Sequence, residues 1–257
     1  MNYNYHTHTY RCHHASGTEE EYILKAIEGG IKYMGFADHI PQIFPDGYES
    51  SYRVPMAEAE NYFETIKALR EKYADKIDIK IGFETEYYPL YFKQMTEAMI
   101  KLGCEYFICG QHFIHNEHPG GVHTSKANES YDDLVEYTDC VTGAIESGIV
   151  SYIAHPDLFN FTGSEAQYTE QITRLCECAK THNIPLEINF LGIRDHRRYP
   201  YDPFWKICGE VGAPVTYGFD AHDIPAACDR NSLTCAEELT KKYSLNYIGM
   251  PTLKLLK

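Results

Sequence analysis

The sequence has no apolar run approaching the ~20 residues that a membrane-spanning helix needs, which argues against a helical membrane protein. It is short of cations: 23 Lys and Arg stand against 37 Asp and Glu, for a formal charge of −14. Nucleic acid and anionic membrane surfaces are therefore poor partners, whereas metal ions or a cationic small molecule are better matched. No GxGxxG or Walker loop follows any candidate strand, so the usual nucleotide cradles are missing. No repeat, low-complexity stretch or Gly/Ser/Pro-rich linker divides the chain, and residues 1–257 read as one domain. The nine cysteines form no regular framework, which fits a reducing compartment rather than a disulfide scaffold. The opening Met1–Tyr5 lacks a charged-then-apolar leader pattern, so a cytoplasmic location is expected. What is plentiful is histidine (13) and tyrosine (22), in a composition otherwise ordinary for a globular chain.

Short β-rich runs alternate with longer helical patterns. Strands are expected at Asn2–His6, Tyr33–Asp38, Ile77–Glu84, Tyr106–Gly110, Val150–Ala154, Pro185–Asn189 and Pro214–Phe219. Helices are expected at Thr18–Glu28, Met56–Tyr73, Tyr91–Leu102, Tyr131–Ser147, Glu165–Thr181, Pro203–Val211 and Cys235–Tyr243. The first opens on Thr18-Glu19-Glu20-Glu21, a cap followed by acids that suit a helix start. Such alternation implies a parallel sheet wrapped by helices, and seven units suggest a (β/α)7 barrel, with an open doubly wound sheet as the alternative.

The strand ends carry the chemistry. Strand one ends in His6-Thr7-His8, strand two in Asp38-His39, strand three at Glu84, strand four in Gln111-His112, strand five in His155-Pro156-Asp157 and strand seven in Asp220-Ala221-His222. Residues i and i+2 of an extended segment point the same way, so His6/His8 and Asp220/His222 each offer two donors to one centre. These pairs come from the first and last strands and meet only if the sheet closes, which favours the barrel. Active sites of parallel barrels lie on that C-terminal face. Eight such donors, with His13 and His14 just beyond, exceed the ~4 ligands of one zinc ion. They suit two or three ions, and imidazole with carboxylate favours Zn, Mn or Fe. Asp38 and Asp157 read either as acceptors that orient ligand imidazoles or as turn residues. His115, His118 and His123 read as a surface loop, and Cys12 as a small buried residue.

The ordered set His6-x-His8, His14, Asp38-His39, Glu84, His112, His155-Pro156 and Asp220-x-His222 resembles the PHP (polymerase and histidinol phosphatase) superfamily. His6-Thr7-His8-Thr9-x-x-Cys12-x-His14 and Glu187-x-Asn189-x-x-Gly192-x-Arg194 are similar to its histidinol-phosphatase branch. The resemblance implies a distorted (β/α)7 barrel with a trinuclear centre on its C-terminal face. One ion would be held by His6, His8 and Asp220, with Glu84 bridging to a second on His112 and His155. A third would lie on His14, His39 and His222. His13 adjoins His14, and the motif register favours His14.

The chemistry then expected is hydrolysis of a small phosphate ester, with no nucleic-acid or membrane partner. Metals neutralise the phosphate dianion, orient it and lower the pKa of water towards ~7, so that a bridging hydroxide attacks phosphorus in line. Asp157, His222 or a metal-bound water would protonate the leaving alkoxide. Gly192–Tyr199 is the densest basic run and follows strand six, so Arg194 is expected to grip phosphate, with Arg53, Arg197 and Arg198 as further candidates. By resemblance the substrate is L-histidinol phosphate, of histidine biosynthesis. Alternatives are another small monoester, phosphotyrosine or a nucleotide, or a metal-binding module without turnover.

Overall fold

The computed structural model describes residues 1–256 apart from residues 43 and 45. Along the chain run β1 (Tyr3–Asn4), α1 (Glu19–Glu28), β2 (Tyr33–His39), α2 (Ala59–Lys72), β3 (Asp78–Thr85), α3 (Phe92–Leu102) and β4 (Tyr106–Cys109). Then come β5 (Phe113–Ile114), β6 (Val122–His123), α4 (Tyr131–Glu146), β7 (Val150–Ile153), α5 (Glu165–His182) and β8 (Leu186–Asn189). The chain ends with α6 (Phe190–Arg194), α7 (Asp202–Val211), β9 (Pro214–Gly218), α8 (Asn231–Lys242) and β10 (Asn246–Tyr247). Local chemistry sets several boundaries. The Thr18 side chain accepts the Glu21 amide while Glu21 reaches back to the Thr18 amide, a reciprocal cap that starts α1. Helix α3 ends on Gly103 in the left-handed conformation that glycine tolerates.

One parallel sheet runs in the order β1-β2-β3-β4-β7-β8-β9-β10. Beyond β1 and β9 the chain continues side by side: His8 N–H donates to Ala221 O at 2.9 Å, and Ala221 N–H to His6 O at 3.1 Å. These bonds draw the first and ninth strands together at the C-terminal side, as the paired motifs required. Two features were not expected. The short β10 adds an eighth strand beside β9, and an antiparallel β5–β6 hairpin stands off the sheet within the loop after β4.

The main core lies between sheet and helices, with Phe36, Phe63, Phe83, Phe107, Leu175 and Trp205 fully or almost fully buried. A second, tyrosine-rich cluster of Tyr3, Tyr5, Tyr106 and Tyr152 gathers the inward side chains of the strands. Tyr106 Oη donates towards Tyr5 O at 2.9 Å and lies 3.1 Å from Phe36 O, so this packing also satisfies buried carbonyls. Strand register positions the site. In β2–β3, His39 stands opposite Glu84, and the Thr7–Ala221 bridge sets His6/His8 beside Asp220/His222.

Candidate metal centre

The C-terminal ends of the strands bring together His6, His8, His14, His39, Glu84, His112, His155, Asp220 and His222. Glu84 is central and 1% exposed. Its Oε1 lies 2.9 Å from His155 Nε2 and 3.7 Å from His112 Nε2. Its Oε2 lies 3.1 Å from His39 Nδ1, 3.4 Å from His8 Nε2 and 3.5 Å from His6 Nε2. Asp220 Oδ1 is 3.1 Å from His222 Nδ1, 3.3 Å from His8 Nε2 and 3.5 Å from His6 Nε2. At the mouth His14 Nε2 faces His222 Nε2 at 3.0 Å. The neighbouring His13 makes the left-handed turn after the Tyr10–Cys12 helical turn, and it is His14 whose Nε2 meets His222, so His14 is the histidine of the pair that joins the cluster. Cys12 Sγ lies near His8 and His222 but is buried, 3.1 Å from Thr9 O.

These residues fit divalent transition-metal ions. Glu84 Oε2 and Asp220 Oδ1 are buried without a hydrogen-bond partner, although imidazole nitrogens crowd around both. Donors bound ~2.1 Å from one ion at tetrahedral or octahedral angles would stand about 3.0–3.4 Å apart, close to the spacings of 3.1–3.5 Å around Glu84 Oε2. The protonation states agree. Burial and the His222 charge push His8 down to about 3, and burial with His222 pushes His14 to about 4. Burial holds His39 well below the usual imidazole range. For Glu84, burial favours the acid, but His112, His39 and His6 hold it well below the usual carboxylate range. For Asp220, His6 and His222 overcome burial in the same way. His8, His14, His39, Glu84 and Asp220 are thus already biased towards the deprotonated forms that ligation requires, whereas His6 and His155, raised by the carboxylates beside them, must release a proton to ligate.

Room for this cluster is built into the backbone. A Cβ at Gly110 would collide with the Glu84 carboxylate and the His155 ring. His155 and Asp220 sit at φ 30° and 45°, a strained region for non-glycine residues.

Arg194 has a different place from the one expected. It ends the short helix α6, and its guanidinium donates to Phe219 O and Asp220 O, both at 2.9 Å, and to Asp229 at 3.2 Å. The acceptors are mainly carbonyls, and they tie down the strained backbone of Asp220. Arg194→Ala is accordingly expected to lower Tm and metal content together, which thermal melts with elemental analysis would detect. A change in KM alone, with metal and Tm as in the wild type, would return Arg194 to a phosphate-binding role.

Arg53 is likewise withdrawn. It is 2% exposed and ion-paired to Glu86, with Nε 2.8 Å from Glu117. Glu86 also accepts the His112 amide at 2.9 Å and the Tyr52 hydroxyl at 3.2 Å. Arg53 balances this buried carboxylate, which lies at about 2 because Arg53 and His112 outweigh its burial. Glu86 was missed in the sequence, although it stands two residues beyond Glu84. Asp157 is buried, and its Oδ2 accepts from Tyr201 N–H at 2.7 Å and Trp205 Nε1–H at 2.8 Å. That anchors the loop before α7 and leaves Asp157 off the cleft lining. Asp38 accepts from the amide and hydroxyl of Thr9, both at 2.8 Å, and lies 3.9 Å from His8 Nδ1, beyond hydrogen-bond reach.

Burial raises Asp157 from 3.8 to about 6. The folded chain therefore binds its proton more tightly than the unfolded chain, and this contribution to stability is lost as pH rises from about 4 through 6. Asp157→Asn removes that loss. Its Tm relative to the wild type should climb between pH 4.5 and 7.5, and a pH-independent difference would refute the assignment.

A cleft of about 900 Å³ opens over the cluster, lined also by Tyr52, His123, Arg197, Arg198, Tyr199 and Asp223. Arg197 lies 3.3 Å from the Tyr199 hydroxyl and 2.8 Å from Asp195, and Arg198 covers the Tyr201 ring at 3.8 Å. Of the expected cations, these two reach the cleft. His123, expected in a surface loop, joins it because the β5–β6 hairpin folds back beside His112. Pairing of two-residue strands is too short a pattern to read in sequence.

A family model for the PHP domain matches residues 4–190. The chain belongs to the PHP domain family. Among curated relatives of this PHP protein, one named probable histidinol-phosphatase from Deinococcus radiodurans is 26% identical over 222 residues, covering 84% of this chain and 85% of the relative. Another of that name from Schizosaccharomyces pombe is 22% identical, covering 82% and 77%. A crystal structure of histidinol phosphate phosphatase from Lactococcus lactis, complexed with zinc, L-histidinol and phosphate, superposes with a TM-score of 0.74 at 20% identity, over 100% of this PHP chain and 99% of that one. The fold is therefore that of the PHP barrels. No helix among the described residues is long and apolar enough to cross a membrane.

Proposed function

We propose that this PHP protein is a metal-dependent phosphomonoesterase that hydrolyses L-histidinol phosphate to L-histidinol and phosphate, a step of histidine biosynthesis, as a single domain in the cytoplasm. The observation that carries the reading is a cluster of nine imidazole and carboxylate donors at the floor of a cleft whose wall holds Arg197 and Arg198. The two curated histidinol-phosphatase relatives, aligned over more than four-fifths of the chain, support the choice of substrate.

His6, His8 and Asp220, then His112 and His155, then His14, His39 and His222 would hold two or three divalent ions, with Glu84 shared between two of them. Bound there, Zn, Mn or Fe would supply charge neutralisation for the phosphate dianion and a water acidic enough to act at neutral pH. The protein's own groups do the rest. The planar guanidinium of Arg197 or Arg198 suits phosphate oxygens turned away from the cluster. Asp223 on the cleft lining offers negative charge to the substrate's amine, while Asp195 holds the Arg197 guanidinium in place. His222 serves here as a ligand, and a ligand imidazole has no proton to spare, so the leaving alkoxide would take its proton from water in the open cleft. The acidic balance of the chain suits a small substrate rather than nucleic acid.

The test is phosphate release from histidinol phosphate, sugar phosphates, phosphotyrosine and nucleoside monophosphates, with metal content measured on the same sample. Histidinol phosphate should show the highest kcat/KM. A tenfold preference for any other class, about 1.4 kcal/mol in the transition state, would move the assignment to that class.

A further inference from the structure

β8 is the one strand of the closed set whose end supplies no donor to the cluster, yet it carries two fully buried polar side chains there. Glu187 and Asn189 are 0% and 1% exposed. Two residues apart on an extended strand, they face the same way. Glu187 Oε2 lies 2.9 Å and Oε1 3.1 Å from His6 Nδ1. Asn189 Nδ2 donates to Glu187 Oε1 at 2.7 Å and to Asp220 Oδ2 at 3.0 Å.

We propose that Glu187 and Asn189 are positioning residues for one ion of the centre, Glu187 by fixing the His6 ring and Asn189 by bracing Glu187 against Asp220. This rests on reading the cluster as a metal centre. A carboxylate only accepts hydrogen bonds, so His6 keeps a proton on Nδ1, and Nε2, turned inward, is the nitrogen left to ligate. That nitrogen is the one 3.5 Å from both Glu84 Oε2 and Asp220 Oδ1 and 3.1 Å from His8 Nε2. The amide of Asn189 occupies the Asp220 oxygen that faces away from the imidazoles and leaves Oδ1 free towards them. Thus β8 orients one donor of each kind.

Charge supports the same assignment. Among the described residues no Lys or Arg pairs with Glu187, and its sole ionic partner is His6. A fully buried carboxylate needs compensation, and a cation across the imidazole provides it. The neighbouring strand is shaped for this group: Gly218 pairs with Asn189, and a Cβ there would collide with the Glu187 carboxylate. Carboxylates behind metal-bound imidazoles raise ligand basicity, and losing one typically costs ~10–100-fold in metal affinity. The effect expected here is selective, because Glu187 and Asn189 touch His6 and Asp220 but neither His112 nor His14.

The experiment uses full-length wild type, Glu187→Gln, Glu187→Asp and Asn189→Ala, each loaded with Co²⁺. Cobalt per chain is followed through dialysis against graded chelator, alongside the visible Co²⁺ spectrum, metal-free Tm and histidinol phosphate turnover. Glu187→Gln should release one equivalent at ~10–100-fold lower chelator strength, with the remaining cobalt held as in the wild type and an altered spectrum. Asn189→Ala should shift the same equivalent less, and Glu187→Asp should recover part of the loss. Equal weakening of every equivalent with a lower metal-free Tm would make the pair merely structural and overturn the proposal. So would unchanged cobalt retention in all variants while the wild type binds cobalt and turns over. If Glu187→Gln does not fold, Glu187→Asp and Asn189→Ala decide by the same criteria. A wild type that binds no cobalt would instead defeat the metal-centre reading itself.

Discussion

Glu84→Gln is expected to lower kcat/KM by roughly 10²- to 10⁴-fold and to strip metal from the chain. Both oxygens of Glu84 face imidazole nitrogens, Oε1 towards His155 at 2.9 Å and Oε2 towards His39 at 3.1 Å. An amide keeps the shape but removes the negative charge, and it turns an NH₂ group towards one of these sets. Removing one partner of a buried charged cluster typically costs about 3–5 kcal/mol, and each 1.36 kcal/mol is tenfold in rate or affinity. Steady-state kinetics with elemental analysis on the same preparation would measure both effects. Near-wild-type turnover with full metal would remove Glu84 from the centre of the site.

Removing metal with a chelator should abolish turnover and lower Tm, by a margin that grows with pH. A ligand at 100 times its Kd stabilises by about 2.7 kcal/mol, and ~1 kcal/mol shifts Tm by about 2–4 °C in a chain of this size. A loss of roughly 5–10 °C per site follows. The pH trend comes from His6 and His155. Burial opposes protonation of His6, but Glu187, Asp220 and Glu84 raise it well above the usual range. Burial acts likewise on His155, and its hydrogen bond to Glu84 prevails and raises it. In the metal-free chain these raised groups stabilise the fold at low pH, and the contribution is lost as pH rises through their folded values. In the loaded chain they must give up protons to bind, so affinity rises over the same range. Calorimetry with and without chelator at pH 6 and pH 8 should show the wider gap at pH 8. A gap that narrows would contradict the assignment of His6 and His155 as ligands.

Much of this was legible because the informative residues sit where strands end. Thr18 and Glu21 announce α1 through a local capping pattern. His6/His8 and Asp220/His222 announce closure because a two-residue spacing aims both members the same way. Arg194 misled because its partners are the carbonyls of Phe219 and Asp220, and a backbone acceptor leaves no trace in residue identity. Arg53 misled because its burial depends on Glu86 and Glu117, which lie 33 and 64 residues away. Glu86 could have been found by extending the alternation of β3 one step past Glu84. The β10 strand could not, since two residues, Asn246 and Tyr247, set no period.

The joining of the first and ninth strands has a consequence for biosynthesis. His14 and His222 are 208 residues apart in sequence and 3.0 Å apart in space. At ~5–20 residues per second, about 10–40 s separate their emergence from the ribosome. Through that interval the nascent chain carries His6, His8 and His14 without Asp220 or His222. An ion captured early on His6 and His8, or on His14, would lack the donors of Asp220 and His222 and exchange readily. A product that stops short of β9 would keep only the Glu84, His112 and His155 donors as a set, so it would hold less metal than the working protein.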